Sequence, residues 1–494
     1  MKTKSSLTLL LALALLLTGC ASGSPILPDL TGTAETDVPE SAATEEAVLP
    51  PGDTSGFCAG VGRADITPEN SVPLQGYGNV EYRLSERVLD PLYVTCVAVR
   101  DEEGETVLLF NLDLCGMSRE NADKAKGLAS EDTGIPADHM ITNSTHTHSA
   151  PSFTSDNPFT ARWIMKVYQS FRKAASAALA DLDACVIEVG KTDTDRLNFV
   201  RRYYREGGGF ATDHGGKDTG PIVAHESEND PEMRLIRFVR ENRKDIVLAN
   251  WQCHPHRTGG SNKYDVSADI IGTWRKNAEA DGDLIFAFFQ GGAGNETPFS
   301  RLSGEVRYTD YRDIGRALNE HMREGLSHMT ELPAGRVRVL WKTMEAPYNH
   351  ANEDKLPQAQ EIATLFANND RAGADQLCAV YGISSVYEAR SIVNRAGRPE
   401  TGSFSLAGVV IGEIAVAACP FEIFCQLEKE LREASPFAFT FSCGYSNDTQ
   451  GYLPAYDCFP NEGYEVCITR YARGTGEAVT AAQIELLNEL YATA

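Results

Sequence analysis

Short apolar runs recur along the chain, and several give way to polar, glycine-rich stretches at their carboxyl ends. The runs 107–112, 246–251, 284–289, 409–417 and 437–441 have strand length, and most are continuous rather than alternating. A half-exposed strand alternates with period two, whereas a strand covered on both faces is apolar throughout, so these runs predict a mostly buried sheet. Between them, 309–329, 422–434 and 481–490 place apolar or small residues at helical spacing with charges interspersed. The pattern predicts the α/β class: one large, mixed, mostly buried β-sheet flanked by helices.

The amino end changes where that fold should begin. Residues 1–19 contain Lys2 and Lys4, an apolar run from Leu7 to Leu17, and the approach Leu17-Thr18-Gly19 to Cys20. This run is too short to span a bilayer and has the basic start of a secretory signal. Small residues before Cys20 resemble the lipobox of bacterial lipoproteins, which implies an extracytoplasmic protein anchored to the cell membrane by a lipid on Cys20. Residues 20–56 carry Pro25, Pro28, Pro39, Pro50 and Pro51, with seven acidic side chains and no Lys or Arg. Such a composition cannot bury enough surface to fold and predicts a disordered tether. The folded body is expected over 57–494 as a single domain, with no later stretch long enough to cross a membrane.

A formal net charge of −24 argues against nucleic acid as a partner, because phosphate binding needs clustered Lys and Arg. Eleven cysteines follow Cys20 without C-x-x-C spacing, which is neither a disulfide framework nor a zinc ribbon. Cys96, Cys253 and Cys419 lie in apolar runs and are expected as buried thiols.

Candidate chemistry collects where the apolar runs end. One of these places is His146-Thr147-His148. In extended backbone, residues i and i+2 point to the same face, so both imidazoles can address one ion. The run 246–251 leads to His254 and His256, 284–289 to a Gln290-Gly-Gly-Ala-Gly-Asn-Glu-Thr297 stretch, and 409–417 to Glu422. The carboxyl edge of a buried sheet is where open α/β folds place their sites. Three or four N, O or S ligands with an open position would suit a catalytic divalent ion.

Several ordered motifs resemble the neutral, non-lysosomal ceramidase family. Gly60-Val-Gly-Arg-Ala-Asp-Ile-Thr-Pro68 with Gly76-Tyr77 is similar to its opening segment, and Thr145-His-Thr-His-Ser149 to its Gly-Thr-His-Thr-His-Ser-Gly-Pro motif. His254 with Val266-Ser-Ala-Asp269 and Gly272 resembles its second histidine stretch. Pro420-Phe-Glu422 stands where the family has Pro-Gly-Glu, and Asn447, Tyr452 and Tyr464-Glu465 follow at family spacing. The resemblance implies zinc bound by His146, His254, Glu422 and Tyr452, with His148 managing protons and Arg201 or Arg202 facing a substrate oxyanion. It implies a zinc-dependent hydrolase that cleaves the amide bond of an N-acylated lipid through a metal-activated water.

Two departures bear on that expectation. Thr297 replaces the family serine often assigned a nucleophilic role, keeping the hydroxyl but adding a methyl that restricts χ1. Ser-Ala-Pro151 replaces Ser-Gly-Pro. Three alternatives follow: a zinc amidase or esterase acting on another acylated substrate, a cyclic-amidohydrolase (β/α)₈ barrel with His-x-His on its first strand, and an inactive lipid-anchored binding protein. Strand-like segments before His146 disfavour the barrel. Neither Gly-x-Ser-x-Gly nor His-Glu-x-x-His occurs, which disfavours serine hydrolase and zincin chemistry.

Overall fold

A strand stays apolar throughout only when both its faces are covered, and here two packed sheets with helices outside supply both covers. A computed structural model of the chain describes residues 52–77, 83–154, 156–213, 220–259 and 262–493. Among these residues the larger sheet runs Leu284–Gln290, Asp245–Trp251, Glu232–Arg240, Asp183–Asp193, Cys58–Asp65, Tyr93–Arg100, Thr106–Leu112, Met140–Ser144, with Thr330–Leu332 beside Asp183–Asp193. The two outermost pairs are parallel and the inner ones antiparallel. A second sheet runs Val337–Pro347, Thr401–Ile411, Ile414–Ala418, Phe439–Cys443, its last pair parallel.

One core fills the space between the sheets. Val99, Leu109, Ile141, Phe238, Leu248 and Phe289 enter it from the larger sheet, and Val409, Ile411, Val416 and Phe441 from the second. The other face of the larger sheet meets helices Arg119–Thr133 and Pro158–Ala180 around Phe110 and Phe171, and helices Asp269–Ala278 and Tyr311–Leu326 around Trp251, Trp274 and Phe286. Helices Cys425–Ala434 and Thr475–Ala492 cover the second sheet through Leu431, Leu487 and Leu490. The α/β class and the buried mixed sheet match the expectation from the apolar runs, and the layered sheets exclude the (β/α)₈ barrel. The division into two sheets was not foreseen, because a covered face looks the same in sequence whichever element covers it.

Two predicted elements differ. The run 409–417 is a hairpin rather than one strand, with Ile411 paired to Ile414 and Gly412 at φ 59. The region 422–434 is helical only over Cys425–Ala434, and Glu422–Ile423 form a short strand. A third feature was missed altogether. At the register partners Pro347 and Thr401 the chain leaves the second sheet for three helices, Leu356–Ala367, Arg371–Tyr381 and Val386–Arg395. They pack around Ile362, Cys378, Ile383 and Ile392. Their caps are legible in sequence: Asp370 accepts from the Gly373 N–H, and Ser385 accepts from Glu388 N–H in a Ser-x-x-Glu box.

The described residues belong to one packed unit. The signal segment, Cys20 and the tether up to residue 51 lie outside them. No helix among the described residues is long and apolar enough to cross a membrane. The eleven cysteines after Cys20 are free thiols; Cys96, Cys253 and Cys419 are among the ten that are buried.

Candidate metal centre and active site

Three buried amide side chains draw the carboxyl ends of four strands together. Asn143 accepts from the Gln290 N–H at 2.7 Å and donates to Gly444 O at 2.7 Å. Asn250 donates to Phe289 O and Ser442 O, each at 2.9 Å, and Gln290 donates to Thr145 O and Cys253 O at 2.9 and 2.8 Å. The larger sheet thus curls until its two edge strands approach, with side chains supplying hydrogen bonds that a backbone ladder would otherwise make. An unmade buried hydrogen bond costs about 1–3 kcal/mol, so these amides fix the strand ends firmly. The loops leaving those ends carry the candidate residues.

Extended backbone does not align His146 with His148. The strand Met140–Ser144 has ended, and His146 sits at φ 65, a left-handed conformation that costs a non-glycine residue about 1–3 kcal/mol and concentrates at functional sites. That turn, rather than strand alternation, brings the two Nε2 atoms to 3.1 Å. Gly76, at φ 114, lets its loop cross His148, where an added Cβ would stand 2.5 Å from the His148 Cβ.

His146, His254 and Glu422 offer one ligand atom each, all within 4.8 Å of one another. The Nδ1 of His146 lies 2.5 Å from Cys115 O, and that of His254 lies 2.6 Å from Ala293 O. A carbonyl accepts only, so each Nδ1 carries the proton and each Nε2 turns its lone pair inward, the arrangement that orients metal-binding histidines. Both Nε2 atoms stand 3.4 Å from Glu422 Oε2, which is buried without a hydrogen-bond partner. Ligand atoms about 2.0–2.1 Å from one ion at tetrahedral angles are themselves about 3.4 Å apart. The donor set therefore fits a divalent ion such as zinc.

Charge follows the same pattern. Burial works to raise the Glu422 pKa, but His146 and His254 beside it hold the carboxyl well below the usual range. Burial and then Arg201 keep His254 neutral. For His146, burial opposes protonation, yet Cys115 and Glu422 raise its pKa to about 10. The two histidines disagree with a uniformly neutral pair. The carbonyl contacts set both Nδ1 protons, so the extra proton on His146 occupies the lone pair a cation would use, and the two compete.

Tyr452 reaches the same centre, its hydroxyl 3.4 Å from His254 Nε2. Burial, then Glu422, push its pKa up, so the phenol stays protonated. Arg201 donates to that hydroxyl at 3.0 Å and lies over the ring, 5.5 Å from its centroid. Of the adjacent arginines, Arg201 therefore faces the site. Arg202 turns away to Glu226 and to the carbonyl of Glu462. Both share buried Glu465, at 2.8 and 3.0 Å, so they form a buried ionic network rather than a solvated pair.

Thr297 is fully buried on the short strand Glu296–Thr297, its Oγ1 3.3 Å from His256 Nε2. His256 itself lines the cleft with His146, His148 and Glu422. Asp269 accepts from the N–H and hydroxyl of Thr258 and so pins the loop that carries His256. His148 is kept neutral by burial and by His146, His254, His256 and Arg201 around it.

Three groups had no signal in the motif reading. Tyr445 lies 4.3 Å, ring to ring, from His146, and the carbonyl of Cys115 sets the His146 tautomer. The helical insert supplies the far wall of the cleft with Tyr387, Arg390 and Asn394. Only long-range packing joins these to the histidines.

No known family description matches the sequence, and no curated protein matches it. Solved structures do. Neutral ceramidase from Pseudomonas aeruginosa superposes with a TM-score of 0.66 at 17% identity, over 89% of this chain and 75% of that one. A ceramidase complexed with C2 gives 0.66 at 16% identity, over 89% and 76%. The fold that the motifs imply is the fold this chain has: that of the neutral ceramidases.

Proposed function

We propose that this protein is a zinc-dependent hydrolase that cleaves the amide bond of an N-acylated lipid. The observation that carries the reading is the triad of two inward-facing Nε2 atoms and one unpartnered carboxylate oxygen at 3.4 Å. Zinc held by His146, His254 and Glu422, with Tyr452 beside them, would polarise a carbonyl and make water a nucleophile near neutral pH. The names of the structural neighbours, both ceramidases, support the substrate class.

The chain's own residues supply the rest. Arg201 and the Tyr452 hydroxyl are placed to share negative charge developing on the amide oxygen, each such donor being worth about 3–4 kcal/mol in a dry site. His148, neutral and beside His146, is placed to take a proton from the attacking water and return it to the departing amine. Thr297 is buried behind His256 and absent from the cleft lining, which suits a hydroxyl that orients His256 rather than one that attacks. The acidic segment and Cys20 would tether this body to the outside of the cell membrane, and mass analysis of Cys20→Ala against wild type reads out the lipid directly.

Metal analysis with turnover of N-acyl amides tests the reading. Wild type should hold zinc and hydrolyse, and His146→Ala should do neither. A zinc-loaded wild type that cleaves esters but no amides would shift the assignment to an esterase. One that cleaves neither, at any chain length, would be a binding protein, and the hydrolase reading would be abandoned.

A further inference from the structure

The cleft at the metal centre, about 590 Å³, is lined by five arginines and by one carboxylate, Glu422. Glu422 belongs to the triad, Arg201 is matched by Glu465, and Arg395 is held by the carbonyls of Cys467, Thr469 and Ala351. Arg390, Arg398 and Arg470 remain. Arg398 donates to Asn394 O and Arg470 to Thr449 O, while Arg390 rests on the Phe366 ring, and none of the three is in an ion pair among the described residues. A chain of net charge −24 has acidic side chains to spare, so their absence here is a feature of the cleft rather than of the composition.

The helix Val386–Arg395 shows how the charge is presented. Its cleft-lining residues Tyr387, Arg390, Ser391 and Asn394 recur at helical spacing, while Val386, Ala389 and Ile392 pack into the core of the insert. The face turned to the metal centre is therefore polar and cationic, which suits a charged head group and not an acyl chain. A guanidinium presents a planar fork of donors that matches carboxylate and phosphate oxygens.

Building on the hydrolase reading above, we infer that the substrate is an N-acyl amide whose amine portion carries an anionic group, a carboxylate or a phosphate, held by Arg390, Arg398 and Arg470. Water adds to the acyl carbon and the C–N bond breaks. The acyl part leaves as a carboxylate, and the amine, gaining two protons in all and keeping its anion, leaves as a zwitterionic or acidic ammonium compound.

Two matched pairs test this on the zinc-loaded protein: N-dodecanoylglycine against N-dodecanoylglycinamide, and N-dodecanoyl-phosphoethanolamine against N-dodecanoylethanolamine. Turnover and calorimetric binding are measured for each. The anionic member of at least one pair should be favoured about tenfold or more in kcat/KM, mostly through KM, as a few charge-assisted hydrogen bonds would give. Whichever pair shows it identifies the anion. Arg398→Gln and Arg470→Gln should bring that ratio toward one while thermal unfolding stays cooperative, and Arg312→Gln, exposed elsewhere, should leave it unchanged. Equal cleavage of both members by wild type, or an unchanged ratio in both cleft variants, would overturn the inference and leave the hydrolase reading intact. Tighter binding of the anion without turnover would do the reverse. Neither turnover nor preference would remove both.

Discussion

Glu422 and Tyr452 are register partners in a parallel ladder two residues long. Partners in a parallel pair project to the same side, so this small bridge sets a carboxylate and a phenol side by side, although thirty residues of chain and a helix separate them in sequence. The Glu422 N–H donates to Gly451 O at 2.9 Å, and Phe424 N–H to Leu453 O at 3.2 Å. The backbone therefore carries both side chains to the histidines as one piece.

Metal content follows from that geometry. Wild type should hold about one zinc per chain, and His146→Ala, His254→Ala and Glu422→Gln should each lose most of it by elemental analysis. Zinc should raise the unfolding temperature of wild type and not of the histidine variants. Full zinc occupancy in His254→Ala would rule out the triad as the binding site.

Thr297→Ala should lower kcat by about tenfold or less, because it removes one hydrogen bond to His256 and no ligand. His146→Ala should abolish turnover. If both variants are equally dead, the threonine hydroxyl is the nucleophile and the water mechanism is wrong.

The network around Glu465 should matter for folding more than its distance from solvent suggests. Glu465→Ala leaves Arg201 without its buried carboxylate, while Arg202 keeps Glu226. Removing one partner of a buried pair costs about 3–5 kcal/mol, which urea unfolding resolves easily. A loss under about 1 kcal/mol would show that the network is solvated in solution.

Glu428 gives a pH dependence away from the metal ligands. Burial raises its pKa from 4.5 to about 7, against the opposing pull of Arg432 and the Gly292 N–H. The folded state then keeps a proton that the unfolded chain releases, so stability falls as pH rises through that window, by about 1.4 kcal/mol per unit at most. Glu428→Gln is neutral throughout and should flatten the slope between pH 5 and pH 7 in urea unfolding. An identical slope in the variant would assign the effect elsewhere, Asp90 being the next candidate with a pKa raised to about 6.

Sequence showed the strands well because burial on two faces leaves a continuous apolar run, as in 246–251 and 284–289. It showed less of the hairpin at Gly412, since a tight turn of two residues interrupts the run with only one glycine and one charge. His146, His254 and Glu422 were legible because each follows a buried strand. How they meet was not. The left-handed turn at His146, the amides Asn143, Asn250 and Gln290, and the contact of Tyr445 with His146 all depend on segments distant in sequence. Arg201 and Arg202 are chemically identical neighbours, so only packing against Tyr452 and Glu226 tells them apart.

The three-helix insert departs from the second sheet and rejoins it at paired positions, Pro347 and Thr401. A segment whose two ends are already hydrogen-bonded neighbours can lengthen, shorten or change its side chains without shifting the strands beneath it. None of the four candidate ligands lies within it. The proposed ligands and two of the three proposed anion-binding arginines, Arg390 and Arg398, thus lie on separate stretches of polypeptide, with only Arg470 outside the insert, so a change of the insert would alter what the cleft accepts and leave the candidate metal site as it is.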